Sequence, residues 1–468
     1  MRKESKVSNS RLINKELAVA VVMAQFVVGL PAFAGGFQLN ETSPSLQGSA
    51  MAGAAAANND VSALFNNPAT LSTLLQNQIY VGASEFIPQI SMFDGAATHT
   101  FNVPGTPPST ISGGVQGDSS EHNISNAVFI PQGYVGWRTP LDKLTLGLAV
   151  VEPFYLYNKY SEDSVLRYAS VKTEINSVDI NPSLAYQVNE KLSVGAGFQA
   201  QYLKTIFSHF DGINTGVPPI DALIAATEPT HLKSDGWGYG YTVGALYQLD
   251  QLTRIGVSYR SEISTKLSGH GEQYTIIGDI VPSPATTFLF NTETSVSNTL
   301  RTPGVLTIGL ARDINQWTLK ATAQVNFWDY LGDLVVSTPD AFETVYVVPM
   351  KWHNTFFGSL GADYRYNSSL TVRGGLAWDQ SPINAQNRTP LIPDSDQYWL
   401  NLGLTYAVNS HFSIDGAYSH IFIHKQSVSI NQVNEGVPGL VAPLEANQVS
   451  ADYKGTNNIV SVGLRYSC

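Results

Sequence analysis

The feature that most constrains this chain is an alternation with period two. Across 192–202 every even position is apolar and every odd one is small or polar. Trp317, Leu319, Ala321, Ala323, Val325 and Phe327 likewise oppose Thr318, Lys320, Thr322, Gln324 and Asn326. Leu360, Ala362, Tyr364 and Tyr366 oppose Ser359, Gly361, Asp363 and Arg365, and Val460, Val462, Leu464 and Tyr466 oppose Ser461, Gly463 and Arg465. A helix repeats every 3.6 residues and a strand every two, so these are strands with two unlike faces. A soluble sandwich would alternate in the same way, so parity alone leaves the apolar face free to meet either a core or lipid.

The connections decide. Short polar stretches at 139–143, 189–191, 249–252, 313–316, 367–369 and 409–411 alternate with long ones at 91–124, 155–172, 207–232, 269–294, 330–351, 381–396 and 426–455. Seven long and six short connections join fourteen strands. Brief turns on one side, large loops on the other and an even strand number are the pattern of a bacterial outer-membrane barrel. Trp137, Trp237, Trp328, Trp352, Trp378 and Trp399 gather near strand ends, where interfacial girdles would put them. After residue 34 no segment is long and apolar enough to be a spanning helix, and a closed barrel is the other structure that satisfies every backbone group in lipid.

Only 13% of the 468 residues are charged, while Tyr and Phe number 22 and 20, an odd balance for soluble domains of this length. Arg2, Lys3, Lys6, Arg11 and Lys15 precede the apolar run 17–30, and Ala32-Phe33-Ala34 follows. That order is the pattern of a secretory signal, with cleavage expected near Ala34-Gly35. The run is shorter than the roughly 18 residues a membrane anchor needs. With five basic and two acidic residues removed, the net charge moves from -11 to near -14, which excludes a nucleic-acid partner on charge grounds. The one cysteine, Cys468, is the last residue, so no internal disulfide forms.

Three units follow: a signal at 1–34, a Gly-, Ala- and Asn-rich stretch at 35–76 and a strand wall at 77–468. The middle unit holds Gly36-Phe37-Gln38-Leu39-Asn40-Glu41 and Asn67-Pro68-Ala69 and is expected to be a compact plug inside the wall. With Tyr259-Arg260-Ser261-Glu262, Ser381-Pro382-Ile383-Asn384-Ala385-Gln386-Asn387-Arg388 and Ile392-Pro393-Asp394-Ser395-Asp396-Gln397-Tyr398-Trp399, these motifs form an ordered series. The series resembles the outer-membrane long-chain fatty acid transporters of the FadL type, a family that also includes aromatic-hydrocarbon uptake channels. The resemblance implies an all-β membrane fold, a fourteen-stranded antiparallel transmembrane β-barrel with an N-terminal hatch inside its lumen. It also implies passive transport: a hydrophobic molecule is captured outside, held above the hatch and released sideways into the outer-membrane lipid. An apolar groove suits such a substrate at about 0.8 kcal/mol per buried methylene.

Asn67 is suited to cap a helical turn over 70–75, with Pro68 in its first position. The resemblance adds that Asn67, Pro68 and Ala69, with Phe37, anchor the hatch to the wall. Glu152-Pro153 interrupts the apolar strand 144–150, and Pro153 cannot donate to a ladder, so the strand there bulges, opens or simply ends before its loop. The resemblance implies that this third strand kinks inward to make a lateral opening, braced by Asp379 through backbone amides. Leu156 stands near the kink where relatives have glycine, and Gln397 where they often carry arginine.

A fatty acid carboxylate needs a cation or donors beside an apolar pocket. The candidates by position are His209, Lys351, His353 and Arg388, each also readable as a solvated loop charge. The ending Tyr466-Ser467-Cys468 departs from the terminal aromatic read by the barrel assembly machinery, and Tyr466 is expected to substitute. A monomer is expected, with no cofactor. His420 and His424 lie too far apart along a strand for a metal pair. An open porin gives the 42-residue preamble no role. An outer-membrane lipolytic enzyme would need a nucleophile elbow, yet Gly-x-Ser-x-Gly and His-Glu-x-x-His are both absent from the sequence.

Overall fold

The computed structural model describes residues 35–103, 109–210, 229–277, 288–338, 344–348, 350–434 and 445–468. The expected signal at 1–34 lies outside the described residues. The described extended segments form one antiparallel sheet that closes on itself. Its fourteen wall strands are β1 Gln78–Val103, β2 Val128–Arg138, β3 Leu144–Val151 resuming at Tyr155–Lys159, β4 Lys172–Gln187, β5 Leu192–His209, β6 Thr230–Gln248 and β7 Thr253–Arg260 with Ile263–Ile277. They continue as β8 Phe288–Thr302 with Gly304–Ile314, β9 Trp317–Phe327, β10 Thr355–Arg365, β11 Leu370–Asp379, β12 Gln397–Ala407, β13 Phe412–Asn434 and β14 Glu445–Ser467. Closure is the pairing of β1 with β14, from Gln78↔Ser467 to Phe101↔Glu445.

The alternation resolves with its apolar face outward. On β5, Val194 and Phe198 are exposed while Gln199 and Gln201 are buried, and on β9 Trp317 and Leu319 are exposed while Thr322, Gln324 and Asn326 are buried. A surface of Val81, Leu376, Leu402, Val462 and their neighbours is far too apolar for water, and lipid is the solvent that suits it. The expectation of loops at 91–124 and 426–455 needs correction. β1, β13 and β14 run on as paired strands well into both stretches. Beyond the lipid the outward face meets water while Met92, Val428 and Tyr453 pack inward, so the outward apolar positions fade there while the main-chain ladder continues. A hairpin of Leu334–Thr338 with Thr344–Val348 likewise occupies part of 330–351.

Residues 35–76 lie against the inward side of these strands. They contain one short helix, Pro44–Gln47, and 3-10 turns at Ala54–Ala56, Val61–Ala63 and Pro68–Thr73. Their main-chain groups bond to lumen side chains and to strand backbone: Tyr134 Oη donates to Thr42 O (2.5 Å), Asn401 Nδ2 to Gln47 O (2.9 Å), Ser258 Oγ to Asn66 O (2.5 Å), and Gly53 N to Ala321 O (3.2 Å). Close approach depends on glycine at the wall. A Cβ on Gly244 would overlap Asn67 Oδ1, and one on Gly256 would overlap Ala55 O.

Charge is also brought together inside the strands. Lys320 pairs with Asp363 (2.7 Å), Arg373 reaches Asp363 (3.5 Å) and Asp415 (3.8 Å), and Arg465 reaches Asp415 (3.5 Å) and Asp60 (2.9 Å). Asp60 lies in the N-terminal segment, so this chain of ions ties that segment to five strands of the wall, β9, β10, β11, β13 and β14.

Candidate functional site

The wall is incomplete at β3. Its pairing with β2 runs only from Gly133↔Val150 to Arg138↔Thr145. Beyond this, Val128–Gln132 of β2 still pairs with β1, and Tyr155–Lys159 of β3 still pairs with β4, but no described pairing joins the two. The cause is local. Val151 faces Asp179 and Tyr155 faces Asn176, so β3 carries one more residue than β4 between these pairs. That extra residue makes a bulge around Glu152-Pro153, where the missing amide of proline removes a ladder bond. Ser177 Oγ serves the break by donating to Phe154 O (2.8 Å) and accepting from Phe154 N (2.9 Å).

The N-terminal segment stands at this break as a substitute strand. Leu39 N donates to Pro153 O (2.8 Å), and Tyr155 N donates to Phe37 O (3.0 Å), making an antiparallel bridge of Gln38 with Phe154. Phe37 fixes the segment by packing its ring among Trp328 (4.9 Å between centroids), Phe154 (5.8 Å) and Trp352 (5.8 Å). Three residues on, Asn40 Nδ2 donates to Asp379 Oδ2 (3.0 Å). The short run 37–40 therefore spans from the break in β3 to the end of β11.

Beside it lies a cavity of about 150 Å³. Its apolar lining is Leu39 of the segment, Phe86 and Ile90 of β1, Val128 of β2, Tyr155 and Leu156 of β3, Trp399 of β12, and Ile421 and Ile423 of β13. Both edges of the gap thus face the cavity. Polar groups are sparse amides and hydroxyls, among them Ser125, Asn158, Gln397, Gln426 and Asn457, together with the carboxyls of Glu41 and Asp394. Among the described residues no lysine, arginine or histidine lines it.

Burial pushes the Glu41 carboxyl up to about 7, against main-chain hydrogen bonds from Glu41 and Asn40 that favour the charged form. Asp394, in the loop after β11, is pushed up to about 6 by burial although Ser381 Oγ (2.7 Å) and Gly36 N (2.9 Å) donate to it. Because the folded value for Glu41 lies above its ordinary one, the folded state binds the extra proton. Stability is unaffected below the ordinary pKa, falls as pH rises from about 4.5 to about 7, and stays lower beyond. The span corresponds to about 3 kcal/mol. Glu41→Gln should flatten this slope in denaturant unfolding measured from pH 4.5 to pH 8. An unchanged slope would assign the titration elsewhere.

The residues singled out in the sequence are brought together only in part. Phe37, Glu152 and Pro153 meet at the break, and Asp379 reaches them through Asn40. Among the described hydrogen bonds the Asp379 carboxylate meets Asn40 of the N-terminal segment and not a backbone amide of β3. Asn67 caps the turn Pro68–Thr73, accepting from Ala69 N (3.0 Å), and its Nδ2 donates to Ala55 O (2.7 Å) and Ala245 O (3.1 Å). The turn is 3-10, with Pro68 at its start and Ala69 fully buried. None of the four proposed ligand contacts lines the cavity. His209 ends β5, Lys351 is exposed, and His353 binds Pro382 O through its backbone (3.1 Å). Arg388 is buried and holds its own loop, donating to Asp394 O (2.8 Å), Ser427 O (3.2 Å) and Ile383 O (3.3 Å). The lining residues on β1, β12 and β13 were missed. Inward parity was the signal for them, and parity gives the face but not the depth.

Residues 25–468 match the model of a protein family described as outer membrane protein transport protein (OMPP1/FadL/TodX). The chain belongs to this family. Among its OMPP1/FadL/TodX relatives is the long-chain fatty acid transport protein of Salmonella typhi, 28% identical over 438 residues, which cover 91% of this chain and 95% of that one. Outer membrane protein P1 of Haemophilus influenzae is 28% identical over 417 residues, covering 83% and 86%. The fold is shared with a crystallised Pseudomonas aeruginosa FadL homologue, at TM-score 0.75 and 22% identity over 92% of this chain and all of the other. It is also shared with the Pseudomonas putida toluene transporter TodX, at TM-score 0.62 and 18% identity over 92% and 98%. These OMPP1/FadL/TodX members are named for transport or for the outer membrane, and none is named as an enzyme.

Proposed function

We propose that this barrel carries hydrophobic molecules passively across the outer membrane, with residues 35–76 as a hatch and the gap between β2 and β3 as the lateral exit. The observation that carries the reading is the coincidence of three features at one place. The wall lacks its ladder there, an apolar cavity opens onto both edges of the gap, and two backbone hydrogen bonds from residues 37–39 close it. A ligand that displaces this short strap finds lipid directly outside. Among the described residues the wall closes through β1 and β14 and its unpaired edges are the short ones at the gap, which fits a monomer, and Tyr466, packed on Phe412 (4.8 Å), supplies an aromatic near the end of the last strand for the assembly machinery.

Long-chain fatty acids are the favoured substrate, since the relatives that align over most of the chain are named for them. An acid would enter in its neutral form, hydrogen-bonded to amides such as Asn158 or Gln426, because the described lining supplies no cation. The same lack of a cation favours the second reading, a neutral aromatic hydrocarbon. Uptake of labelled oleate and of labelled toluene by cells lacking their own carriers separates the two. Saturable uptake of neither, in cells with folded barrel in the membrane, counts against transport altogether.

Asn67→Ala tests the hatch. It strips partners from Ala55 O, Ala245 O and Ala69 N, at about 1–3 kcal/mol for each buried group left unpaired. Uptake should fall while the heat-modifiable folded barrel persists on gels. Unchanged uptake in intact cells would remove Asn67 from the hatch mechanism.

A further inference from the structure

An acidic side chain on the lipid-facing side of the wall has no role in the packing described so far. On β1 the buried residues Gly82, Ser84 and Phe86 turn inward, while Val81, Glu85 and Gln89 are exposed on the outer face. The cross-strand neighbours of Glu85 on that face are Val460 of β14 and Phe129 of β2, both exposed and apolar. Ala83 and Ile87 flank it along its own strand. The polar neighbour is Asn458, on the diagonal through Ile87, and its Oδ1 is already engaged by Tyr418 Oη (2.8 Å) and His420 Nδ1 (2.8 Å).

Depth makes this position costly. Phe412, Tyr466 and Ile79 lie side by side on β13, β14 and β1 and mark the short-turn end of the lipid-facing rows. A tilted strand crosses the hydrocarbon in about 9–11 residues, so the crossing that begins at Ile79 ends near Gln89. Glu85 lies between them. A carboxyl group facing hydrocarbon destabilises a barrel unless a partner meets it, and such a residue marks a functional position.

The lateral gap supplies the partner. Phe129 belongs to Val128–Gln132, the stretch of β2 whose other edge has no ladder to β3. Glu85 thus stands one strand, about 4.8 Å, behind that free edge. Its chain neighbour Phe86 lines the cavity from within, together with Val128. One point of the wall therefore shows the cavity on its inner side and a carboxyl group on its outer side. Glu152, half-buried, stands in the bulge on the opposite lip.

We propose that Glu85 is an exit station for an acid headgroup: a fatty acid leaving through the gap hydrogen-bonds to Glu85 on the lipid side, one proton shared between the two carboxyl groups, while its tail turns into the bilayer. No covalent bond changes. An O–H donor on an anionic oxygen makes one of the strongest hydrogen bonds, and the low dielectric around Glu85 strengthens it further. An ester or a hydrocarbon brings no such proton, so the station selects acids at the exit even though the described cavity lining holds no cation. The inference rests on lateral exit and adds the class of headgroup that uses it.

The test places a photoreactive benzophenone side chain at Ile87, on the same face and strand, in the full barrel embedded in lipid nanodiscs. Illumination should attach oleic acid at least about tenfold more than methyl oleate, the worth of one charge-assisted hydrogen bond. Glu85→Leu should bring the two ligands to the same low yield. Leucine suits lipid, so this variant should fold, which gel heat-modifiability reads. Glu85→Gln, whose amide still accepts a hydrogen bond, should keep part of the preference. Equal yields with Glu85 intact, or a preference unchanged in Glu85→Leu, overturns the station. An adduct between two chains in place of the fatty acid assigns the carboxyl group to a contact between copies and overturns it too. Oleate uptake, measured apart, separates the two readings: uptake without the acid preference removes the station and keeps transport, while the preference without uptake removes transport and keeps an acid site at Glu85.

Discussion

Cysteines in place of Gln38 and Phe154, with Cys468→Ser to remove the native thiol, should abolish uptake in the oxidised protein and restore it on reduction. Leu39 N bonds Pro153 O and Tyr155 N bonds Phe37 O, so Gln38 and Phe154 face each other as a non-hydrogen-bonded antiparallel pair. Such pairs bring Cα atoms to about 4.5 Å, within the range a disulfide spans. The bond would weld the strap across the break in β3, change the cavity lining only at Gln38, and leave the remaining wall untouched. Uptake should drop to that of cells without the protein, because no other described gap leads from the cavity to lipid. Full transport in the oxidised form, with the disulfide verified by mass, would eliminate the lateral route.

Arg465→Met should cost about 3–5 kcal/mol, the penalty for leaving buried charges without their partner. Arg465 meets Asp60 at 2.9 Å and Asp415 at 3.5 Å and donates to Ser45 Oγ at 3.2 Å, and both carboxylates are buried. Burial alone would raise the Asp60 pKa, but Arg465 and hydrogen bonds from Ser45 and Ser62 outweigh it and hold the carboxyl below its ordinary value. For a depressed pKa the stabilisation is present above the ordinary carboxyl value and is lost as pH falls through the lower folded one. In Arg465→Met that acid sensitivity should reverse, with low pH relieving the stranded Asp60 carboxylate. Unfolding midpoints in guanidinium at pH 3 and pH 7 read the reversal. The triple variant that adds Asp60→Asn and Asp415→Asn should recover much of the loss. Midpoints unchanged in the single variant would deny the ion chain a role in holding the segment.

The wall was legible because lipid and a polar lumen impose opposite demands on neighbouring residues. Val194 and Phe198 against Gln199 and Gln201 state the two faces in the sequence itself. Pro153 announced the break for an equally local reason, and Asn67 its cap. What could not be read was anything set by how distant pieces meet. Arg388 stood out as a cation near an apolar motif, yet its guanidinium is taken up by three carbonyls of the loop that folds around it and of β13. Asp415 and Arg465 did carry a signal, being charges on the lumen side of their strands. Their partner Asp60 lies at the other end of the chain, and no spacing rule connects them. The cavity depends on Phe86, Leu156, Trp399 and Ile421 reaching one level, which is a matter of shear between strands and not of parity.

The 26-residue β1 is more than twice as long as a bilayer crossing requires, at about 9–11 residues. With β13 and β14 it raises a stiff parapet on the long-loop side, filled by Met92, Ile124, Tyr160, Leu166, Val428 and Tyr453 as a small interior of its own. The outline of this flank is therefore drawn by main-chain pairing, which every residue type but proline can join, so it tolerates many changes of side chain.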